Sequence, residues 1–225
     1  MLILNKILRN MKSSTLSLCL LMAISLGLCF LAPTQSMAAD SPAQTQLSTT
    51  IDSVLDILKH PEYADPSLRP ALRAEIEEQI RKIFDDMGFA MRTVGPKWRD
   101  FSDAQRKTFA DAFSGLLRAT YLNSLDGYSG ETIEYTGERY NKKQDKVEIQ
   151  TVLRLKDKVP VPIFYRMSDE NGQWLVYDVV VEGISLVKNY RSQFAELLQS
   201  GSPEELIAQI NQKTEDLQKK AAEAQ

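Results

Sequence analysis

The sequence predicts an α+β domain: a curved antiparallel sheet of about four strands, packed against several helices and enclosing an apolar pocket. Three observations carry this prediction. Apolar residues recur at helical spacing up to about residue 125 and alternate from about residue 131, so helices precede strands. Four strand signals in a row, separated by short turns, make a meander. The last of them, 174–181, is apolar on both faces, and such a strand must be covered on both sides by protein or by something the protein carries.

Residues 1–38 read as a secretory signal. Lys6, Arg9 and Lys12 form the positive region, 16–31 is the apolar core, and Ser36, Met37 and Ala38 offer small residues for cleavage before a mature domain at 39–225. Residues 40–46 are polar and read as a mobile leader. Ile51, Val54, Leu55 and Leu58 then mark a short helix stopped by Pro61. After Pro66 and Pro70 a second helix carries Leu72, Ile76, Ile80, Ile83 and Met87 in one stripe, widened by Phe84, with Glu75, Glu77, Glu78, Arg81 and Lys82 opposite. Gly88 is expected to break this helix, and Gly95-Pro96 ends the short piece that follows; either is a candidate hinge. Ser102 and Gln105 form a capping-box pattern for a long helix at 103–125, with Phe109, Phe113, Leu116, Leu117 and Tyr121 on its buried face.

The period then changes. A strand at 131–140 turns Ile133 and Tyr135 inward; another at 146–156 turns Val147, Ile149, Thr151, Leu153 and Leu155 inward and Lys146, Glu148, Gln150, Arg154 and Lys156 outward. Val161, Ile163, Tyr165 and Met167 share a face of the third, and Asp169, Glu170, Asn171 and Gly172 supply a hairpin turn. On the fourth, strict alternation puts Leu175, Tyr177, Val179 and Val181 on one face and Trp174, Val176 and Val180 on the other, interrupted by Asp178 and closed by Glu182. A helix at 184–199 follows Gly183. Ser202 caps a last helix, with Pro203 in its first position and Leu206, Ile207 and Ile210 as anchors, before a polar tail expected to fray from about 212.

Composition narrows the function. The chain has 27 basic and 30 acidic residues; loss of the three basic residues of the leader, which holds no acid, leaves a net charge of −6. An acidic exported domain is a poor nucleic-acid binder, and contact with an anionic membrane would be transient and local. Both cysteines, Cys19 and Cys29, leave with the signal, so the mature chain has neither thiol nor disulfide. His60 alone cannot build a zinc site. Ser185 lacks both the second glycine of a nucleophile elbow and a histidine partner. Asp178 and Glu182, four apart on a strand, would project from one face; they are either an acid/base pair of an exported hydrolase or members of a structural ion pair with Arg166 or Arg191.

What the chain has in quantity is apolar and aromatic surface. A diacyl lipid with ~28 methylenes, at ~0.8 kcal/mol each, needs an apolar host worth ~20 kcal/mol to leave a bilayer. Periodicity does not distinguish such a pocket from a filled core.

Trp98, the segment FSDAQRKTFADAFSGLL at 101–117, Tyr121, and above all WLVYDVVVEGISLVKNYRSQF at 174–194 closely resemble the MlaC family of phospholipid-binding proteins, also called the toluene-tolerance auxiliary family. The likeness runs from about Ile51 to Lys213. It departs at Phe84, Asp85, Asp86, Met87, Gly88 and Phe89, where the family pattern is of Phe-Asp-Phe type. The resemblance implies a non-enzymatic periplasmic carrier, without cofactor, that holds acyl chains between sheet and helices. It also implies exchange with an outer-membrane lipoprotein complex and with the substrate-binding ring of an inner-membrane ABC transporter, maintaining outer-membrane lipid asymmetry. A branch associated with hopanoids looks similar, so lipid identity stays open. The expected lining is Val147, Ile149, Leu153, Ile163, Tyr165, Leu175, Tyr177 and Val179 from the strands, with Phe113, Leu117 and Tyr121 from the long helix. One step of register would instead bring Trp174, Val176 and Val180 to the pocket.

Overall fold

The structure is a computed structural model and describes residues 40–156 and 158–223. The expected signal segment and both cysteines lie outside them.

Helix α1 (Pro42–Lys59) begins earlier than the sequence reading placed it, within the stretch expected to be a leader. Ser41 Oγ accepts from the Gln44 amide at 3.1 Å, and Pro42 stands where a helix has no use for an N–H. Ala43 and Leu47, one turn apart, are both buried, so these polar-looking turns are held by tertiary packing. After a 3-10 turn (Pro61–Ala64), α2 (Arg69–Ile83) packs on α1 through Leu58, Tyr63 and Ile76.

The helix break falls at Phe84–Asp85 and not at Gly88. Phe84 is extended and bridges Val176 in parallel, and the Asp85 amide donates to the Val176 carbonyl at 3.0 Å. Asp85 then caps α3 (Asp86–Val94) by accepting from the Gly88 amide at 2.7 Å. Gly88 therefore sits inside α3, where a Cβ would meet Asp85 Oδ2 at 1.7 Å. The expected capping box is present: Ser102 and Gln105 bond each other's backbone at the start of α4 (Asp103–Tyr121). A 3-10 segment (Leu122–Gly127) leads into the sheet.

Four long strands, β1 (Thr132–Tyr140), β2 (Lys146–Arg154), β3 (Val161–Glu170) and β4 (Gln173–Val181), form an antiparallel meander in chain order, and a two-residue β5 (Ile184–Ser185) adds a fifth beside β4. Asn171 and Gly172, with φ of 59° and 90°, give the β3–β4 hairpin its tight turn. Helix α5 (Leu186–Leu197) follows at once. α6 (Pro203–Glu223), capped by Ser202 with Glu205 reaching back, runs through the tail that composition suggested would fray.

Two cores result. Helices α3 to α6 close on an aromatic cluster in which Phe113 meets Tyr190 at 4.9 Å and Phe194 at 5.4 Å, and Phe109 meets Phe194 at 5.6 Å. The second core lies between α1 and one face of the sheet, where Ala43 and Leu47 pack with Val147, Ile149, Met167, Trp174 and Val176. Phe84 touches both.

Candidate functional site

Cross-strand pairing fixes which side chains share the sheet face that looks toward α1. Ile149 pairs with Tyr165, and Tyr165 with Val179; Thr151 pairs with Ile163, and Ile163 with Val181. Strict alternation would send Trp174 and Val176 to the opposite face. It does not, because the register shifts between Arg166 and Met167: Arg166 pairs with Asp178 while Met167 pairs with Val176, leaving Tyr177 as an extra residue. Trp174 and Val176 thus join Val179 and Val181 on the inward face.

Leu175, opposite Ser168, and Tyr177 leave it, so they do not share a face with Val179 as strict alternation required. The Tyr177 ring sits between Arg92 at 4.4 Å and Lys146 at 5.8 Å. The one-step alternative is half right: Trp174 and Val176 do face inward, whereas Val180, opposite Phe164 and Ser185, does not.

Burial divides the inward face in two. Toward the β3–β4 hairpin it is solid, with Ile149, Met167 and Val176 at 0% exposure beneath Ala43 and Leu47. Toward the other end Ile133, Leu153, Val161, Ile163, Tyr165 and Val181 are only half-buried, and Ile184 beside them is 43% exposed. Tyr165 shows what kind of surface this is. It is not sealed from solvent, yet burial alone pushes its phenol up to about 12. The ring is thus partly reachable from solvent and strongly desolvated by the apolar side chains around it. Tyr135, opposite Thr151, is likewise half-buried, and its phenol is raised by burial and then by the charges of Tyr165, Asp52 and Asp40.

The helical residues expected to line the pocket do not pack on this sheet face. Phe113 is buried in the aromatic cluster, Leu117 packs against that cluster, and Tyr121 is 40% exposed and hydrogen-bonded to Tyr190. The N-terminal half of α1, with Ala43 and Leu47 and then Ile51, covers the sheet instead. Gln46 fastens α1: its amide donates to the Trp174 carbonyl at 2.9 Å and accepts from the Trp174 amide at 3.0 Å. A separate cleft of about 460 Å³ between α1 and α2 is lined by Gln46, Thr49, Thr50, Ser53, Gln79 and Lys82, with Ile83 and Gln173.

The opposite face carries a charge ladder. Arg139 donates to Glu148 at 2.6 Å, Arg166 to Glu148 at 2.9 Å and to Asp178 at 3.0 Å. Asp178, 3% exposed, also accepts from the Ser185 hydroxyl at 2.7 Å and the Val187 amide at 3.0 Å, tying the sheet to the first turn of α5. This is the ion pair with Arg166 that the sequence allowed. The expected same-face pairing with Glu182 fails, because Glu182 lies past the end of β4 in a turn with φ of 50°. Among the described residues, no group of His, Cys, Asp or Glu could hold a metal ion, and no helix is long and apolar enough to cross a membrane.

Comparison with known proteins gives this fold relatives. A phospholipid-binding protein from Ralstonia solanacearum, solved in complex with a phospholipid, superposes with a TM-score of 0.68 at 25% identity, covering 79% of this chain and 99% of that one. The intermembrane phospholipid transport system binding protein MlaC of Haemophilus influenzae is 23% identical over 124 residues, 54% of this chain and 58% of that relative's length. The toluene tolerance protein ttg2D of Pseudomonas putida is 22% identical over 170 residues, 74% of this chain and 77% of its own. The family profile described as MlaC protein matches residues 48–212, from α1 across the whole meander and into α6. On that match the chain belongs to the MlaC family.

Proposed function

We propose that this protein is a phospholipid carrier whose acyl chains rest on the half-covered inward face of the sheet, between β1–β4 and α1. The observation that carries the reading is the combination of apolar, half-buried strand ends with a tyrosine desolvated enough to titrate at about 12. The phospholipid held by the Ralstonia relative of the same fold supports it. Carriage requires no bond to break. Asp178, the acid a hydrolase would need, has both oxygens occupied by donors.

Two acyl chains worth ~20 kcal/mol of transfer free energy need more apolar area than the half-covered ends present, so loading displaces α1 from the sheet. The Gln46 amide pair pins α1 near one end, and its Leu58 end stays packed on α2, so α1 and α2 swing together. Such a carrier works in the periplasm. It receives lipid from an outer-membrane lipoprotein complex or an ABC transporter's substrate-binding ring and releases it to the other, sustaining outer-membrane asymmetry.

Organic extracts of freshly purified protein, analysed by mass spectrometry, test the reading. Phospholipid near one molecule per chain is expected, and none in several independent preparations removes it.

A further inference from the structure

Residues 39–225 carry a net charge of −6, yet the sheet face away from α1 presents positive charge to solvent. Around Tyr177 four elements bring cations together: Arg92 from α3, Lys146 from β2, Arg166 from β3 and Arg191 from α5. The Arg92 guanidinium lies 4.4 Å from the centre of the Tyr177 ring and the Lys146 ammonium 5.8 Å from it, and Arg191 Nε donates to the Arg92 carbonyl at 2.7 Å. Arg139 extends the row, bonded to the Glu148 that Arg166 also holds.

The carboxylates that meet these five cations are three: Glu148, Asp178 and Asp85. They lie beneath the cations. The Glu148 side chain is 10% exposed, whereas that of its partner Arg139 is 71% exposed. Asp178 is enclosed by Arg166, Ser185 and Val187, and Arg92 reaches Asp85 only at 3.5 Å. Lys146 and Arg191 are exposed, and among the described residues no carboxylate lies within ion-pair distance of either. A ladder that only held the sheet to α5 would need Arg166 and its acids. Arg92, Lys146 and Arg191 add like charges around one half-buried aromatic ring, and their mutual repulsion is relieved by an anionic ligand. Tyrosine and arginine are also the side chains that most often anchor protein interfaces.

The range of the field selects the ligand. At physiological salt, exposed charges act over ~8 Å. An anionic bilayer would meet the acidic surroundings of the patch together with the patch itself, and an acidic domain is repelled by it. A short acidic segment meets the patch alone.

We propose that the Tyr177 face docks an acidic segment of a partner protein, whose carboxylates meet Arg92, Lys146 and Arg191 around the ring. The inference goes beyond the carrier reading and does not rest on it, since this face is opposite the one under α1.

Hexaglutamate titrated into the isotope-labelled protein and followed by NMR tests the proposal. Amide shifts are expected around Lys146, Tyr177 and Arg191. Lys146→Glu combined with Arg191→Glu is expected to weaken binding at least about tenfold. Lys59→Glu combined with Lys107→Glu makes the same change in net charge on exposed helix surfaces and is expected to alter it by about twofold or less. Should the first pair fail to fold, Lys146→Gln with Arg191→Gln replaces it, with a loss of about threefold or more expected. Absence of shifts at the Tyr177 face, or equal weakening by both pairs, overturns the docking surface. Cosedimentation with vesicles of equal phosphatidylglycerol and phosphatidylcholine that depends on Lys146 and Arg191, without hexaglutamate binding, overturns it in favour of a membrane surface. Phospholipid measured in the same samples reports on the carrier reading separately.

Discussion

Replacing Asp178 by asparagine keeps the size of a buried side chain and removes its charge. Three donors converge on Asp178: Arg166 Nη1 at 3.0 Å and Ser185 Oγ at 2.7 Å on Oδ2, and the Val187 amide at 3.0 Å on Oδ1. An asparagine accepts through one oxygen only, so its NH2 must face either the Arg166 side or the Val187 amide. The loss of a charge-assisted bond, ~1.5–3 kcal/mol, adds to an orphaned donor at ~1–3 kcal/mol. Arg166 keeps Glu148 at 2.9 Å, which places the expected loss toward the lower end of the ~3–5 kcal/mol for breaking a buried pair. About 3 kcal/mol, at a urea m-value of ~2 kcal/mol/M, lowers the midpoint by about 1.5 M. Urea titrations followed by circular dichroism measure this, and the folded fraction should retain its lipid because Asp178 lies on the face away from α1. A loss under ~1 kcal/mol, or loss of lipid at undiminished stability, would refute the structural role assigned to Asp178.

Val179→Glu should abolish lipid retention whereas Leu175→Glu should not, since the bulge at Tyr177 puts them on opposite faces; equal effects in lipid extracts would contradict that register. Gly88→Ala drives a Cβ into Asp85 and forfeits the α3 cap, with an expected cost of ~1–2 kcal/mol in denaturant titration. Tyr165 has a folded-state pKa above its ordinary 10.0, so the folded state holds that proton more tightly. Its contribution is intact below the ordinary value and is lost as pH rises from there toward about 12. Tyr165→Phe should flatten that alkaline limb of the stability curve, and an unchanged limb would mean that Tyr165 is not the desolvated phenol.

Helix positions, the capping box at Ser102, the meander and the hairpin turn at Asn171 and Gly172 were legible because each is a local signal of period, cap or turn. The start of α1 was not, because Ala43 and Leu47 are helical through contact with a sheet more than a hundred residues away. The site was legible only in part, and for a definite reason. Val147, Ile149, Leu153, Ile163, Tyr165 and Val179 share the inward face as alternation requires, but alternation fails past a bulge, and that sent Leu175 and Tyr177 to the wrong side. Gly137, an isolated glycine inside a strand, was the available sign of irregularity in β1; β4 offered only Asp178 interrupting an apolar run. The aromatic stripe of α4 looked the same whether it faced ligand or core. The ring contacts of Phe113 show it filling the latter.

Two apolar surfaces are candidates to meet the acyl chains, the inward sheet face and the helical core. A phospholipid with a paramagnetic label in its acyl chain, bound to methyl-labelled protein, distinguishes the two candidates by NMR. Carriage on the sheet face should broaden the methyl signals of Leu153, Ile163 and Val181 far more than those of Leu116 and Leu206 in the helical core. Broadening confined to Leu116 and Leu206 would contradict it.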